Sequence, residues 1–336
     1  MTSRSFLTTH APDGGLLQSD EWAALQTASE RTAFAFRGEG FEGSAFQHTL
    51  PFFGNYLFIP RGPVIDPDVF NNEALKKEFV RVANSTGSHW LRVEPQTEEC
   101  LKQLRQAFGE ANVVFAPHDI NPRETLVVSL TGDMSDWLGR MKSKTRYNVR
   151  LAEKHGVTIR FSRASGDLET FIDLIYATTN RKAIIPHPKF YYRNFLSHLP
   201  EEMCTVAMAE YNGVSVAAAL LVFFGGTAYY LHGGSSDHHR ELMAPFLLHF
   251  QCMGEAKRRG AWRYDFGGVR VRTKNGVGDT GWDGITRFKQ GFDPKAETLI
   301  FPGTYDIVLS PVHYSLYRQS HRLAGPWRYL HRFLNH

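Results

Sequence analysis

Three short stretches in the last third of the chain concentrate residue types able to do chemistry: HGGSS at 232–236, YDFGG at 264–268 and GITRFKQGF at 284–292. Asp265 ends an apolar run and is followed by Phe266 and two glycines. That pattern presents a carboxylate at a sheet edge where missing Cβ atoms let a substrate approach closely. It arises equally when a carboxylate merely accepts turn amides. Lys289 follows Phe288 near the C-terminal end of a short helical stretch. A lysine there is favoured by the helix dipole by about 0.3–1 kcal/mol, whatever else it does. No G-x-G-x-x-G or G-x-x-x-x-G-K-[ST] loop is present, so neither a dinucleotide fold nor a P-loop enzyme is indicated. Cys100, Cys204 and Cys252 are too scattered for a clustered zinc site or a disulfide scaffold, and fit a reducing cytoplasm. No metal or cofactor site is visible among these residues.

The elements that must hold these stretches are mixed α and β throughout. Ser19 or Asp20 caps a helix running to about Ala28. Strands follow at Thr32–Phe36, Phe46–Leu50 and Tyr56–Pro60, then a helix over Asp68–Asn84 ended by Gly87. A strand at His89–Val93, a helix over Thr97–Phe108 and strands at Val113–Phe115 and Thr125–Leu130 come next. The basic stretch Ser135–His155 reads as one helical segment, and Asp167 caps another. IIPHPKFYY reads as irregular. Residues 211–231 carry no charge and are long enough to cross a bilayer, but Gly225-Gly226-Thr227 divides them, so two buried strands in a hairpin are expected. Pro245 opens a helix that ends at Gly260; strand Trp262–Phe266, helix Trp282–Gln290 and strand Glu297–Phe301 complete this half. A faint repeat is visible: Gly87 then Trp90 and Glu94, against Gly260 then Trp262 and Asp265.

The chain has 336 residues, 42% hydrophobic and 21% charged, enough for about two globular domains. Its N-terminus lacks the apolar core of a signal peptide, which points to the cytoplasm. Segments 140–163, 257–274 and 313–336 together hold 19 basic and 2 acidic residues, whereas the remainder holds 19 basic and 32 acidic. Such segregation indicates a polyanionic partner. Solvated helix faces would account for any one segment alone.

The segments MKSKTRYNVRLAEKHGV (141–157), YYLHGGSS (229–236), AWRYDFGG (261–268) and GITRFKQGF (284–292) resemble, in order, the FemABX family of non-ribosomal peptidyltransferases. QSDEW (18–22) and VEP (93–95) extend the likeness weakly toward the N-terminus. The resemblance implies two tandem acetyltransferase-like α/β domains without a coiled-coil arm. They would span 1–143 and 144–312, with a C-terminal helix at 313–336 returning to the first. It implies transfer of an amino acid from aminoacyl-tRNA to the stem-peptide amine of a peptidoglycan precursor, nucleotide-linked or lipid-linked. The protein would work as a monomer, and its basic surface suits peripheral contact with the inner membrane face.

Residue by residue, the family's Phe-Lys pair falls on Phe288 and Lys289. Lys289 would stabilise charge developing at the ester, a kind of contribution worth ~3–4 kcal/mol, and Phe288 would position the terminal adenosine. Glu94 matches an acidic residue near the substrate amine, where most members carry Asp. Phosphate recognition matches less well: Gln26 stands where the family has lysine and His187 where it has arginine, leaving Arg181 and Lys189 as substitutes. Tyr191, Tyr192, Tyr230 and Asp265 are candidates for lining the peptide site. Arg258, Arg259, Arg270, Arg272 and Lys274 are expected to flank the site and hold tRNA, while Trp327 and Tyr329 interleave with Arg318, Arg322, Arg328 and Arg332 in the tail. Two other classes stay open: an acyl-CoA-dependent N-acyltransferase, although no R/Q-x-x-G-x-G/A turn is evident, and a non-catalytic RNA- or glycan-binding protein.

Overall fold

The computed structural model describes residues 2–182, 184–270 and 280–323. Arg272, Lys274 and the tail residues Trp327, Arg328, Tyr329 and Arg332 lie outside the described residues. The chain forms two units, Met1–Arg123 with Phe301 onward, and Glu124–Ile300.

In the first unit, α1 (Ser3–His10) and α2 (Asp20–Ala28) precede a meander of β1 (Thr32–Gly38), β2 (Phe41–Leu50) and β3 (Gly54–Ile59), with the short β4 (Val64–Ile65) beside β2. Helix α3 (Asn72–Thr86) then leads into β5 (Ser88–Val93), which lies parallel to β3. Helix α4 (Glu98–Phe108) and β6 (Val113–Phe115) follow. The second unit runs through β7 (Glu124–Ser129), α5 (Met134–Arg140), α6 (Ser143–Lys154), β8 (Thr158–Ser162), α7 (Ser165–Arg181) and α8 (Lys189–His198). Its meander is β9 (Cys204–Tyr211), β10 (Val214–Phe224) and β11 (Thr227–Ser235). Then come α9 (Ala244–Arg258), β12 (Arg263–Gly268), α10 (Thr280–Lys289) and β13 (Glu297–Ile300). The chain returns to the first unit as β14 (Tyr305–Val308) and α11 (Pro311–Leu323).

Each unit therefore contains one mixed sheet, ordered β1-β2-β3-β5-β14-β6 and β13-β7-β12-β11-β10-β9-β8. The two share a plan: an antiparallel meander, a helix, a strand parallel to the meander's last, then a strand inserted from a distant part of the sequence. This is the two-unit mixed α/β fold expected, with different boundaries. β7 pairs with β12 and β13, so the second unit begins at 124 rather than 144. β14 pairs with β5 and β6, so the return begins at 301 rather than 313.

Local chemistry explains most of the elements. Ser19 caps α2, Asn71 caps α3 and Thr97 caps α4, each accepting a first-turn amide. The charge-free hairpin is β10 and β11; β10 is buried along nearly its whole length because α7 and α9 pack on it. Four local expectations change. The basic stretch is two helices, because the chain turns at Met141 and the Lys142 amide donates to the Gly291 carbonyl (2.9 Å). Asp167 is not a cap but a first-turn residue bonded to Arg160 and Ser162. Only the first half of IIPHPKFYY is irregular, since Pro188 with φ −61° sets up α8. The repeat lies at equivalent positions of the two sheets, but Trp90 is wholly buried whereas Trp262 is exposed.

Candidate active site

The second unit carries its cavity where two parallel strands separate. β11 and β12 pair at Thr227–Arg263, Ala228–Tyr264 and Tyr229–Asp265, and no further. Beyond that point β11 continues beside β10, across a bulge at Leu220/Leu221, while β12 follows β7. Gly267, at φ +70°, lets β12 turn away from its neighbour. Gly234 lets the α7 backbone lie directly on β11, since a Cβ there would meet the Leu174 carbonyl. The glycines of HGGSS and YDFGG thus shape the gap.

Lys289, the last residue of α10, fills the apex of this gap. Its ammonium donates to the Gly268 carbonyl oxygen at 2.7 Å and lies 6.0 Å from the Tyr230 ring centre. Burial lowers its pKa to about 8, with Asp265 opposing and Lys182 adding to the shift. The cavity outside has a volume of about 550 Å³, and Lys289, Phe288, Tyr230, His249, Arg181, Lys182 and Arg240 are among its lining residues. No carboxylate lines it among the described residues, so its electrostatics favour an anion. Its floor is aromatic: Phe288 packs edge-on against Phe246 (4.9 Å) and His249 (5.5 Å).

His249 was not singled out from the sequence. It is buried on α9, its Nδ1 is 3.0 Å from the Tyr264 hydroxyl, and its ring meets Tyr230 edge-on at 4.5 Å. Burial, then the nearby Lys289 charge, lower its pKa to about 3, so the imidazole is neutral. The signal was a lone histidine within the apolar run APFLLHFQCM.

The other expected residues distribute unevenly. Asp265 is buried, accepts the Gly267 amide (2.7 Å) and is not among the cavity's lining residues. Arg181 lines the cavity paired with Asp237. His187 stacks on Tyr191 (4.1 Å), and Tyr192 accepts the His187 amide; both tyrosines pack edge-on to His232. These three form an aromatic cluster outside the lining of this cavity. Lys189 is exposed and paired with Asp173. Arg258 and Arg259 do not flank the cavity: they sit at the C-terminal end of α9, bonded to Glu255, whereas the N-terminal end of that helix lines it. A 15-residue helix separates the two ends by about 20 Å. Arg270 is exposed two residues beyond Gly268, its amide held by Thr286 Oγ1.

Gln26 and Glu94 belong to the first unit. Gln26 is half-buried on α2, its backbone carbonyl accepting from Ser29 and Arg31. Glu94 is buried and receives four donors: the amides of Arg61 and Asn121, the Asn121 side chain and the Thr304 hydroxyl. Its carboxylate ties the turn at Arg61 to the segment at 119–122, and its acceptor sites are filled from within the unit.

Several known proteins share this organisation. The protein is 24% identical over 398 residues to the lipid II:glycine glycyltransferase of Staphylococcus haemolyticus, covering 94% of this chain and 93% of the relative. The crystal structure of FemX superposes with a TM-score of 0.78 at 20% identity, covering 93% of this chain and 96% of that one. The structure of L-PGS from Bacillus licheniformis gives 0.59 at 14% identity, covering 96% and 95%. No described helix is long and apolar enough to cross a membrane. The FemAB family model matches residues 101–213 and 201–322, two thirds of the sequence and the part that holds Lys289: the chain belongs to the FemAB family.

Proposed function

We propose that the cavity takes the aminoacylated 3′ end of a tRNA and that the protein transfers the aminoacyl group to the stem-peptide amine of a peptidoglycan precursor. The curated relative's action on lipid II supports a precursor of that class as acceptor. In this reaction the amine nitrogen attacks the ester carbonyl, an amide bond forms, and the ribose oxygen leaves and is protonated. The demand on the enzyme is positioning plus stabilisation of the transient oxyanion. Lys289 meets it: one N–H is anchored on Gly268, and its remaining protons are available to the ester oxygen. Phe288 and Tyr230 offer aromatic surfaces to a terminal base, and Lys182 and Arg240 offer charge to phosphates. Glu94 acts by holding its own loops in place rather than by taking the amine proton.

The observation that carries this reading is the buried cation at the parting of β11 and β12. The experiment is label transfer to nucleotide-linked and lipid-linked precursors, from charged tRNAs and separately from acetyl-CoA. Transfer from aminoacyl-tRNA, reduced ~10²-fold or more in Lys289→Met, is the expected result. Transfer from acetyl-CoA alone would replace this reading with an acyl-CoA-dependent one. RNA binding without any transfer would leave a binding protein.

A further inference from the structure

We propose that the outward face of α6, carrying Lys144, Tyr147, Arg150 and Lys154, with Lys142 beside it, binds the phosphate backbone of the tRNA acceptor stem. This rests on the function proposed above.

The eight basic residues of 140–163 separate into two sets. Arg140 bonds the Ser129 carbonyl and pairs with Asp293. Arg146 caps the carbonyls of Leu138, Gly139 and Met141. Arg160 pairs with Asp167 and Glu210, and Arg163 gathers four carbonyls between Leu196 and Cys204. These four hold the fold together. Lys142, Lys144, Arg150 and Lys154 are exposed, and their side chains make no hydrogen bond or ion pair among the described residues. The basic run 257–263 is committed internally: Lys257 to the carbonyls of Leu130 and Gly132, Arg258 and Arg259 to Glu255, Arg263 to Thr227.

The uncommitted residues share one side of a helix. Thr145, Asn148, Val149 and Ala152 face inward, and α6 packs on α9. Lys144, Tyr147, Arg150 and Lys154 recur at i, i+3, i+6 and i+10 on the opposite side, a stripe about 15 Å long. Its start adjoins the candidate active site, because the Lys142 amide donates to the carbonyl of Gly291, two residues beyond Lys289. The helix also breaks a local rule. Its first turn has no acid and no side-chain cap, and cations stand at its positive end. Local sequence choices that oppose the fold mark functional surfaces.

The pattern fits RNA better than lipid. Spaced cations around a single exposed tyrosine match a ribose-phosphate strand, with Tyr147 (62% exposed) available to stack or bond. A membrane-binding helix would carry a row of exposed large apolar residues beside its charges, and this face has none.

The test is binding of a fluorescent RNA minihelix ending in CCA, measured by anisotropy over a salt series, for wild type, Lys144→Ala/Arg150→Ala/Lys154→Ala and Tyr147→Ala. The triple variant should bind at least tenfold more weakly near 100 mM salt. Its log–log salt slope should be lower by about 2, at roughly 0.7–0.9 for each phosphate no longer neutralised, with an unchanged melting temperature. Tyr147→Ala should weaken binding several-fold at unchanged slope. Unaltered affinity and slope in the triple variant overturn the proposal. So does loss of binding only to vesicles containing phosphatidylglycerol, which makes the face a lipid contact. If wild type transfers from charged tRNA and the triple variant does so equally well, this inference fails alone. If wild type transfers from no charged tRNA, the function itself fails.

Discussion

The ammonium of Lys289 is tethered to the carbonyl oxygen of Gly268, 2.7 Å away, at the point where two parallel strands cease to pair. The tether sets the direction of the charge and leaves further protons for a ligand. It also buries a cation in a setting that opposes it, and this opposition is measurable.

Lys289→Met should be more stable than wild type while inactive. The folded state releases the lysine proton near pH 8 and the unfolded chain near 10.5. The folded state therefore carries a penalty of about 3 kcal/mol in full below pH 8, relieved as pH rises toward 10.5. Methionine removes that penalty but leaves the Gly268 carbonyl without its donor, which costs about 1 kcal/mol. A net gain of about 1–2 kcal/mol is expected in denaturant titration at pH 7, together with the ~10²-fold loss of transfer. A destabilised variant would mean that the cation is better solvated than its burial indicates.

The rate of transfer should fall as pH rises through about 8, because the neutral amine of Lys289 no longer stabilises the oxyanion. Deprotonation of the attacking amine works the other way, so the profile has a maximum. Lys289→Arg, charged throughout, should react more slowly at neutral pH but lose the alkaline decline. Single-turnover rates between pH 6 and 10 decide this, and a decline that survives in the arginine variant assigns it to another group.

His249 makes an acid-side prediction. The unfolded chain protonates its histidine near 6.5, but the buried imidazole resists until about 3. Stability due to this residue is complete above 6.5 and is lost at about 1.4 kcal/mol per pH unit as pH falls below it. His232, shifted to about 4 by burial, adds a similar slope over a shorter range. His249→Phe should flatten the dependence between pH 6.5 and 4 in urea titrations, and an unchanged slope would show that the ring is protonated in the fold.

What the sequence disclosed follows from how local each signal was. Caps such as Ser19 and the charge-free hairpin at 211–231 depend on neighbours a few residues away, and were legible. The site motifs were legible as a resemblance, yet Lys289 alone was indistinguishable from a lysine placed by a helix dipole. Its burial depends on β11 and β12 parting, which only the pairing register reveals. The charge pattern misled for a related reason. Composition counts Arg258 and Lys154 alike, but Glu255 neutralises one from three residues away and nothing described neutralises the other. β14 was missed because a four-residue strand acquires its identity from partners about two hundred residues earlier.

That long-range pairing yields the last prediction. Arg92 on β5 and Asp306 on β14 form a fully buried two-point ion pair at 2.8 and 2.9 Å; Tyr314 donates to Asp306, and Arg92 donates to Tyr317. The pair joins the strand that returns from the second unit to the centre of the first sheet, while the Tyr56–Trp90–Tyr317 stack packs beside it. Removing one partner strands a buried charge, so Arg92→Met should destabilise by about 3–5 kcal/mol. Removing both charges, in Arg92→Met/Asp306→Leu, should destabilise by less than the sum of the single changes, because neither charge is left alone. Arg92→Lys should fall between, since a point charge cannot satisfy both carboxylate oxygens and the Tyr317 hydroxyl as the planar guanidinium does. Guanidinium titrations of wild type, Arg92→Met, Asp306→Leu and the double variant measure the coupling directly, with Arg92→Lys beside them. A single variant within 1 kcal/mol of wild type would mean that packing of the aromatic stack, not the ion pair, anchors β14.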